Sequence, residues 1–401
     1  MEMNTTHTTG MAQDMIMFLL LSSLAFVGAQ LSITQEQFMT PTQLIANRGY
    51  PAEEHHVTTP DGYILTLHRI PRGRGPFAPS GGRPVLLQHG LLCSSFDFLV
   101  QARNQSLSYS LADAGYDVWL GNHRGNLYSN SHTTLSNTDK AFYNFSWDEH
   151  SLYDYPAIVN YILNVTRQPN LYAVGHSQGG LTFFTTTTTT PSIQSKVKYF
   201  FALAPALSST HLQSTMLHLS TAYPEVTQTL LNYLPEQTSQ APLLAPYCGS
   251  TAVTKTVCHA IFDDVAGPIE QIEDSRLPLT TAHFPAGSSN KNADHWLQQA
   301  TNGTRYFDYG VDGNMAAYGT PYPKEYDLSG YSVPTSVYFS AADKLVSTED
   351  MNVAFSRLPS SAIVKTRNMT AFGHFEFIWG NRAKAEIYDE IIADINRMEG
   401  R

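Results

Sequence analysis

Leu171-Tyr172-Ala173-Val174-Gly175-His176-Ser177-Gln178-Gly179-Gly180-Leu181-Thr182-Phe183-Phe184 is the stretch that decides how this chain of 401 residues is read. Leu171–Val174 is a short apolar run closed by glycine, the pattern of a buried strand, and Leu181–Phe184 has helical character. Between them stands Gly175-His176-Ser177-Gln178-Gly179, of the form G-x-S-x-G. At ordinary glycine and serine frequencies this pattern arises by accident about 0.1 times in such a chain. Its place between a strand and a helix makes it far more specific. Two glycines there permit a strained turn that lifts the serine hydroxyl clear, and the helix that follows brings partial positive charge towards a developing oxyanion.

The same rhythm extends outward on both sides. Val85–Gln88, Tyr116–Leu120 and Val197–Leu203 read as strands, and Ser151–Asn164 reads as a helix between the second strand and Leu171. Strands separated by helical patterns predict crossover units and a parallel sheet. From about Ser208 to Leu328 that rhythm is lost in a stretch rich in Thr, Gln, Ser, Pro and Gly. It resumes with Val333–Ser340 as a strand, and a last helix is expected from about Arg382 to Met398. One sheet domain interrupted by a long insertion is therefore predicted. The run Thr185–Thr190 costs its helix about half a kcal/mol per residue relative to alanine, so that end is expected to depend on packing.

A serine hydroxyl is a poor nucleophile until a base takes its proton, and the base needs an acid to orient it. After a serine in this setting the acid and then the histidine follow in chain order. Asp343, just past the strand ending at Ser340, supplies the first, and His374 in Phe372-Gly373-His374-Phe375 supplies the second. The oxyanion requires two amide donors. Gln178, next after the serine, gives one, and Leu91, in the turn that follows Val85–Gln88, gives the other.

Bulk properties narrow the class. The chain is 42% hydrophobic and only 14% charged, which excludes a disordered chain or a coiled coil. Its formal net charge of −10 argues against a nucleic-acid binder. Three cysteines exclude a disulfide-dense scaffold and a four-cysteine zinc site. Cys248 and Cys258 lie close enough to staple one local loop with Cys93 left over; three reduced thiols is the alternative. Met15–Val27 is an apolar run too short to span a bilayer and reads as a leader cleaved after Ala29, although no basic residue precedes it. A secretory route is expected, to the extracellular or lysosomal lumen. Asn104, Asn144, Asn164, Asn302 and Asn368 are then candidate glycan acceptors. No later stretch is long enough for a transmembrane helix. His55-His56 lacks any metal-ligand context and reads as a surface pair, Glu53-Glu54 as a solvated turn, and Gly73–Gly82 as a loop. No metal or cofactor is expected.

Several further motifs carry a family resemblance. His89-Gly90-Leu91-Leu92, Asp113–Asn122, Arg124-Gly125-Asn126, Phe145-Ser146-Trp147-Asp148-Glu149, Phe284-Pro285-Ala286-Gly287, His295-Trp296 and His374–Trp379, together with the pentapeptide, resemble the acid lipase family, which includes gastric and lysosomal acid lipases. The resemblance runs from about Thr34 to Ile392 with the motifs in family order. It implies an α/β fold: an α/β-hydrolase core, mostly parallel sheet with helices on both faces, and an inserted, mainly helical cap. The corresponding division is 1–29 leader, 30–207 first part of the core, 208–328 cap, and 329–401 second part of the core. It implies hydrolysis of triacylglycerols and, in some members, cholesteryl esters presented at a lipid interface. By the same resemblance Ser177, Asp343 and His374 form the triad, with Leu91 and Gln178 as oxyanion donors. Cys248 and Cys258 fall in the cap, where family members commonly have a disulfide. A short-chain carboxylesterase and a silent lipid carrier are the competing readings.

Overall fold

The computed structural model describes residues 35–75, 81–223, 226–227, 248 and 251–401. The expected leader, its expected cleavage site and part of the Gly73–Gly82 loop lie outside the described residues. Among the described residues nine strands form one sheet: β1 (Glu53–Thr58), β2 (Tyr63–Ile70), β3 (Pro84–Gln88), β4 (Asp117–Leu120), β5 (Ser131–His132), β6 (Leu171–His176), β7 (Val197–Leu203), β8 (Thr335–Ser340) and β9 (Ile363–Met369). They run in the order β1-β2-β4-β3-β6-β7-β8-β9, with β5 paired to β2. The β1–β2 and β2–β4 pairs are antiparallel, and from β4 to β9 every pair is parallel.

Alternation along the central strands divides the core in two. Val85, Leu87, Val118, Tyr172, Val174 and Phe201 join one apolar cluster, whereas Leu86, Trp119, Leu171, Ala173 and Phe200 join the other. Strands buried on both faces need helices on both sides. On the first face pack α1 (Leu107–Asp113), through Leu107 and Leu111, and the C-terminal helix, through Ile391 and Ile395. On the second pack α2 (Tyr155–Thr166) through Ile158 and Ile162, and α3 (Gln178–Thr189) through Leu181 and Phe184.

Helix α3 includes most of the threonine run. Its hydroxyls bond back to the helix, Thr185 to the Leu181 carbonyl (2.9 Å), Thr186 to Thr182 (2.6 Å) and Thr187 to Phe184 (2.7 Å). Thr186 also donates to the Ser151 carbonyl at 3.0 Å. Burial of these side chains is tolerated because each hydroxyl keeps a partner. The sequence expectations shift at several edges. Tyr155 rather than Ser151 opens α2, after a π-helical turn at His150–Asp154. Strand β8 starts at Thr335, one residue past Pro334, which has no N–H to give. Glu53-Glu54 is the start of β1 and not a turn. Glu53 pairs with Arg69 of β2, whose guanidinium bridges Glu53 and Asp117 at 2.8 Å each, and this holds two acidic strand ends in register.

Between β7 and β8 come α4 (Thr215–Ala222), α5 (Ala252–Ala266), α6 (Leu277–His283), α7 (Asn290–Asn302) and α8 (Gly310–Tyr318); α9 (Thr348–Arg357) and α10 (Asp389–Met398) follow β8 and β9. The start of this intervening segment is tied down by buried Asp350 of α9, which accepts from the Ser208 hydroxyl (2.7 Å) and the Thr210 amide (2.8 Å).

Helix α3 approaches β3 very closely. A Cβ on Gly179 would lie 2.3 Å from the Gln88 carbonyl oxygen, so only glycine fits. Gly179→Ala is expected to destabilise the fold by about 2–3 kcal/mol. An unchanged thermal midpoint would contradict that approach.

Candidate active site

Ser177 directly follows β6 and caps α3 with φ 55° and ψ −120°, a conformation that costs of order 1–3 kcal/mol for a residue with a side chain. Its neighbours hold it there. The Ser177 amide donates to the Leu203 carbonyl at 3.0 Å, and its own carbonyl accepts from Gly180 (2.9 Å) and Leu181 (3.1 Å), the first turn of α3. The turn thus projects Oγ away from the sheet while the helix begins directly behind it.

Asp343 follows β8 and is completely buried. Its Oδ1 accepts the amides of Leu345 (2.8 Å) and Val346 (2.9 Å), which leaves Oδ2 to meet His374 Nδ1 at 2.7 Å. The backbone of His374 is fixed on both sides. Its amide donates to the Ala266 carbonyl at 2.8 Å, and its carbonyl accepts Nε2–H of His176 at 2.9 Å. Burial pushes the His176 imidazole well below its ordinary pKa, so it remains a neutral ring with the proton on Nε2. His176 stood in the pentapeptide as a variable position, and its contact with the His374 loop needs the folded chain to be seen.

The turn after β3 faces the serine. A Cβ on Gly90 would lie 2.9 Å from Ser177 Cβ, which is how Leu91 comes so near. His89 braces this turn: Nδ1–H donates to the Gly90 carbonyl at 2.8 Å and Nε2 accepts the His123 amide at 3.1 Å. Its burial lowers its pKa to about 4, so the ring stays neutral and keeps one donor and one acceptor. Leu92 has φ 59°, and its carbonyl accepts the Ala286 amide, which ties the Phe284–Gly287 motif to this turn. Gln178, the first residue of α3, is held through its side chain. Oε1 accepts from Trp296 Nε1 (2.6 Å) and Asn292 Nδ2 (3.0 Å), both on α7. Neither spacing nor motif pointed to Asn292.

Ser177 and His374 open onto one apolar cavity of about 200 Å³, together with Leu91, Leu217, Phe284 and Trp296. Cys93 lines the same cavity and is buried. Burial raises its thiol well above the usual range, with Asp97 adding to the effect, and burial likewise pushes Asp97 up to about 7. Cys248 and Cys258 are bridged, with Cα atoms 5.2 Å apart. All five glycan-acceptor asparagines are exposed, and no described helix is long and apolar enough to cross a membrane. His55 is not a plain surface residue, since its ring lies tilted against Trp119 with centroids 4.7 Å apart and bonds to the Tyr161 hydroxyl at 3.1 Å.

The thiol chemistry gives a direct check. Non-reducing peptide mapping is expected to find Cys248 crosslinked to Cys258, with Cys93 alkylated only after unfolding. A crosslinked peptide containing Cys93 would overturn this pairing.

Known proteins resemble this chain in sequence and in fold. A family model described as the alpha/beta hydrolase fold matches residues 83–381, and one described as a partial alpha/beta-hydrolase lipase region matches residues 41–102. Lipase lipl-1 of Caenorhabditis elegans is 38% identical over 376 residues, covering 91% of this chain and 93% of that protein. The lysosomal acid lipase/cholesteryl ester hydrolase of Rattus norvegicus is 37% identical over 377 residues, 92% of this chain and 94% of that protein. Among solved structures, an epoxide hydrolase from Vigna radiata superposes with a TM-score of 0.52 at 14% identity, covering 86% of this chain and 98% of that one. Sheet order, elbow and full-length identity agree, and the chain belongs to the acid lipase family of the α/β-hydrolase superfamily.

Proposed function

We propose that this chain is a lipase that hydrolyses carboxylic esters of lipids, triacylglycerols in the first place and cholesteryl esters by kinship with its relatives. The observation that carries the reading is the Asp343–His374 pair opening with Ser177 onto one apolar cavity. Ser177 is the nucleophile, His374 the general base and Asp343 the residue that holds the imidazole. Oγ attacks the ester carbonyl while its proton passes to His374 Nε2, and Asp343 retains the Nδ1–H in place. The amides of Leu91 and Gln178 receive the oxyanion. Collapse of the tetrahedral adduct breaks the ester bond, and the leaving alcohol takes the proton back from His374. Water then attacks the acyl-serine with His374 again as base, releasing the fatty acid and restoring Ser177.

Residues 208–328 act in this reading as a cap. Helices α4 and α5 face two ways. Leu217, Thr221 and Val265 line the cavity, whereas Met216, Leu219, Val253, Val257 and Ile261 are all at least about half exposed on the outer side. Positions 253, 257 and 261 recur at helical spacing, which makes a continuous apolar stripe suited to a lipid surface. Trp296 and Asn292 on α7 hold the Gln178 side chain, so movement of this segment is felt at an oxyanion donor. The exposed asparagine acceptors and the Cys248–Cys258 bridge support a secretory route to the extracellular or lysosomal lumen, with removal of the leader 1–29.

Emulsified long-chain triacylglycerol, cholesteryl ester and a soluble butyrate ester, assayed from acidic to mildly alkaline pH, test the substrate class. Turnover of the long-chain esters that rises above their solubility limit is expected. Hydrolysis confined to the butyrate ester would mean a short-chain esterase, and lipid binding with no hydrolysis a carrier. Ser177→Ala and His374→Ala should each lower kcat by about 10⁴ or more, and Asp343→Asn severely. Near-normal turnover in Asp343→Asn would remove Asp343 as the acid. Trp296→Phe keeps the ring but loses the N–H to Gln178, and is expected to lower kcat about tenfold with KM little changed. A change confined to KM would mean that Trp296 only shapes the cavity.

A further inference from the structure

A second cleft, separate from the cavity at Ser177, gathers positive charge. Arg48, Arg74, Arg103 and Arg276 line it together with Glu36 and Asp113, its volume is about 550 Å³, and it shares no residue with the catalytic cavity. The four arginines come from separate parts of the chain. Arg48 follows the short helix Pro41–Asn47, Arg74 lies in the loop after β2, Arg103 precedes α1, and Arg276 stands directly before α6. Four guanidinium groups meet two carboxylates, so the cleft holds two positive charges in excess, in a chain whose formal net charge is −10. Arginine keeps its charge throughout the pH range in which a protein is folded.

The carboxylates are already taken. Glu36 Oε2 accepts Arg48 Nη2 at 3.2 Å and Arg276 Nη1 at 3.1 Å, and Asp113 Oδ2 accepts the Tyr50 hydroxyl at 2.8 Å and Arg74 Nη2 at 3.4 Å. The guanidinium groups are not. Among the described residues, Arg74 and Arg276 each spend one nitrogen on these bonds, and Arg103 reaches only the Arg48 carbonyl at 3.5 Å. Two of the four are also held in place. Arg48 is buried and donates to the Gln101 and Val100 carbonyls, and its Cζ lies 5.6 Å from the centre of the Tyr109 ring. Tyr109 stacks on Tyr50 at 4.8 Å, and Arg74 Cζ lies 5.5 Å from the centre of the Tyr50 ring. Like charges gathered in this way repel one another, and a bound anion removes that cost without having to order the groups first.

We propose that this cleft binds the phosphate group of an anionic ligand. Two charges in excess and spare N–H groups on three side chains match a phosphate, which offers up to two negative charges and three acceptor oxygens. A carboxylate brings one charge and two oxygens and is satisfied by a single guanidinium fork, so the fatty acid released at Ser177 is a poorer fit. Arg103 is exposed and Arg276 partly so, which lets the ligand enter from solvent and makes its binding sensitive to salt.

Titration calorimetry of the purified full chain with inorganic phosphate at low ionic strength tests the site, with acetate as the carboxylate control. Saturable binding of one phosphate per chain is expected, weakening as salt is raised. Arg103→Gln and Arg276→Gln should each weaken it at least about fivefold. Arg103 is exposed, and Glu36 keeps Arg48 when Arg276 is replaced, so both variants should retain the thermal midpoint of the unaltered chain. Arg367→Gln, on β9 at the opposite end of the sheet from β1 and β2, removes the same charge and should leave binding unchanged. The heat of phosphate binding is read without any ester substrate, so the result stands apart from the lipase reading. Flotation with phosphatidylcholine vesicles, with and without phosphatidic acid, identifies the source of the phosphate. Flotation that needs phosphatidic acid and is weakened in both variants assigns a lipid headgroup; flotation unaltered in variants that have lost phosphate binding assigns a soluble phosphate. No saturable phosphate binding, binding undiminished in both Arg103→Gln and Arg276→Gln, or acetate bound as tightly as phosphate would each overturn the proposal.

Discussion

The backbone of Ser177, held at φ 55° and ψ −120°, is the constraint around which the rest of the molecule is arranged. Such a conformation survives only where its surroundings overdetermine it. Here β7 accepts the serine amide through Leu203, the first turn of α3 donates two amides to its carbonyl, and Gly175 and Gly179 allow that helix to lie where a Cβ would collide with backbone. The sheet therefore does more than carry the serine. Central parallel strands, buried on both faces, form the rigid frame against which the strain is held.

From this point polar contacts radiate into segments distant in sequence. His176, beside the serine, holds the carbonyl of His374, while Asp343 holds the ring from the other side. Gln178, one residue later, is gripped by Trp296 and Asn292 from the segment between β7 and β8. His89 and Ala286 brace the turn that carries Leu91. Apart from the partly exposed Trp296 each of these groups is buried, and each bond is therefore costly to leave unmade. The result couples the position of the helices between β7 and β8 to the geometry around the serine.

Much of this was legible before any coordinates. The central strands announced themselves as short apolar runs because both of their faces are buried, and the elbow did so because its glycines are demanded by contact. The antiparallel edge was not legible. Strand β1 reads Glu-Glu-His-His, and its strand character depends on Arg69 reaching across from β2. Strand β9 is mostly exposed and polar, with only Met369 buried, so it has no hydrophobic signature. The threonine run looked weak as a helix, since intrinsic propensity says nothing of hydroxyls that find Leu181, Thr182 and Ser151 as acceptors. The meeting of Asp343 with His374 was readable because this fold places an acid and then a histidine after the elbow in chain order. Asn292 and the gathering of Arg74, Arg103 and Arg276 around one cleft were not, because they join segments whose proximity exists only in three dimensions.

The central claim is that the strain at residue 177 presents one activated hydroxyl to the cavity. A long-chain p-nitrophenyl alkylphosphonate, which phosphonylates an activated serine and releases nitrophenol, tests it most directly when the labelled chain is digested and mapped by mass spectrometry. A single adduct on Ser177 is expected, formed at least about 10³-fold more slowly in His374→Ala. An adduct on another residue, or equally fast labelling of Ser177 in His374→Ala, would contradict it.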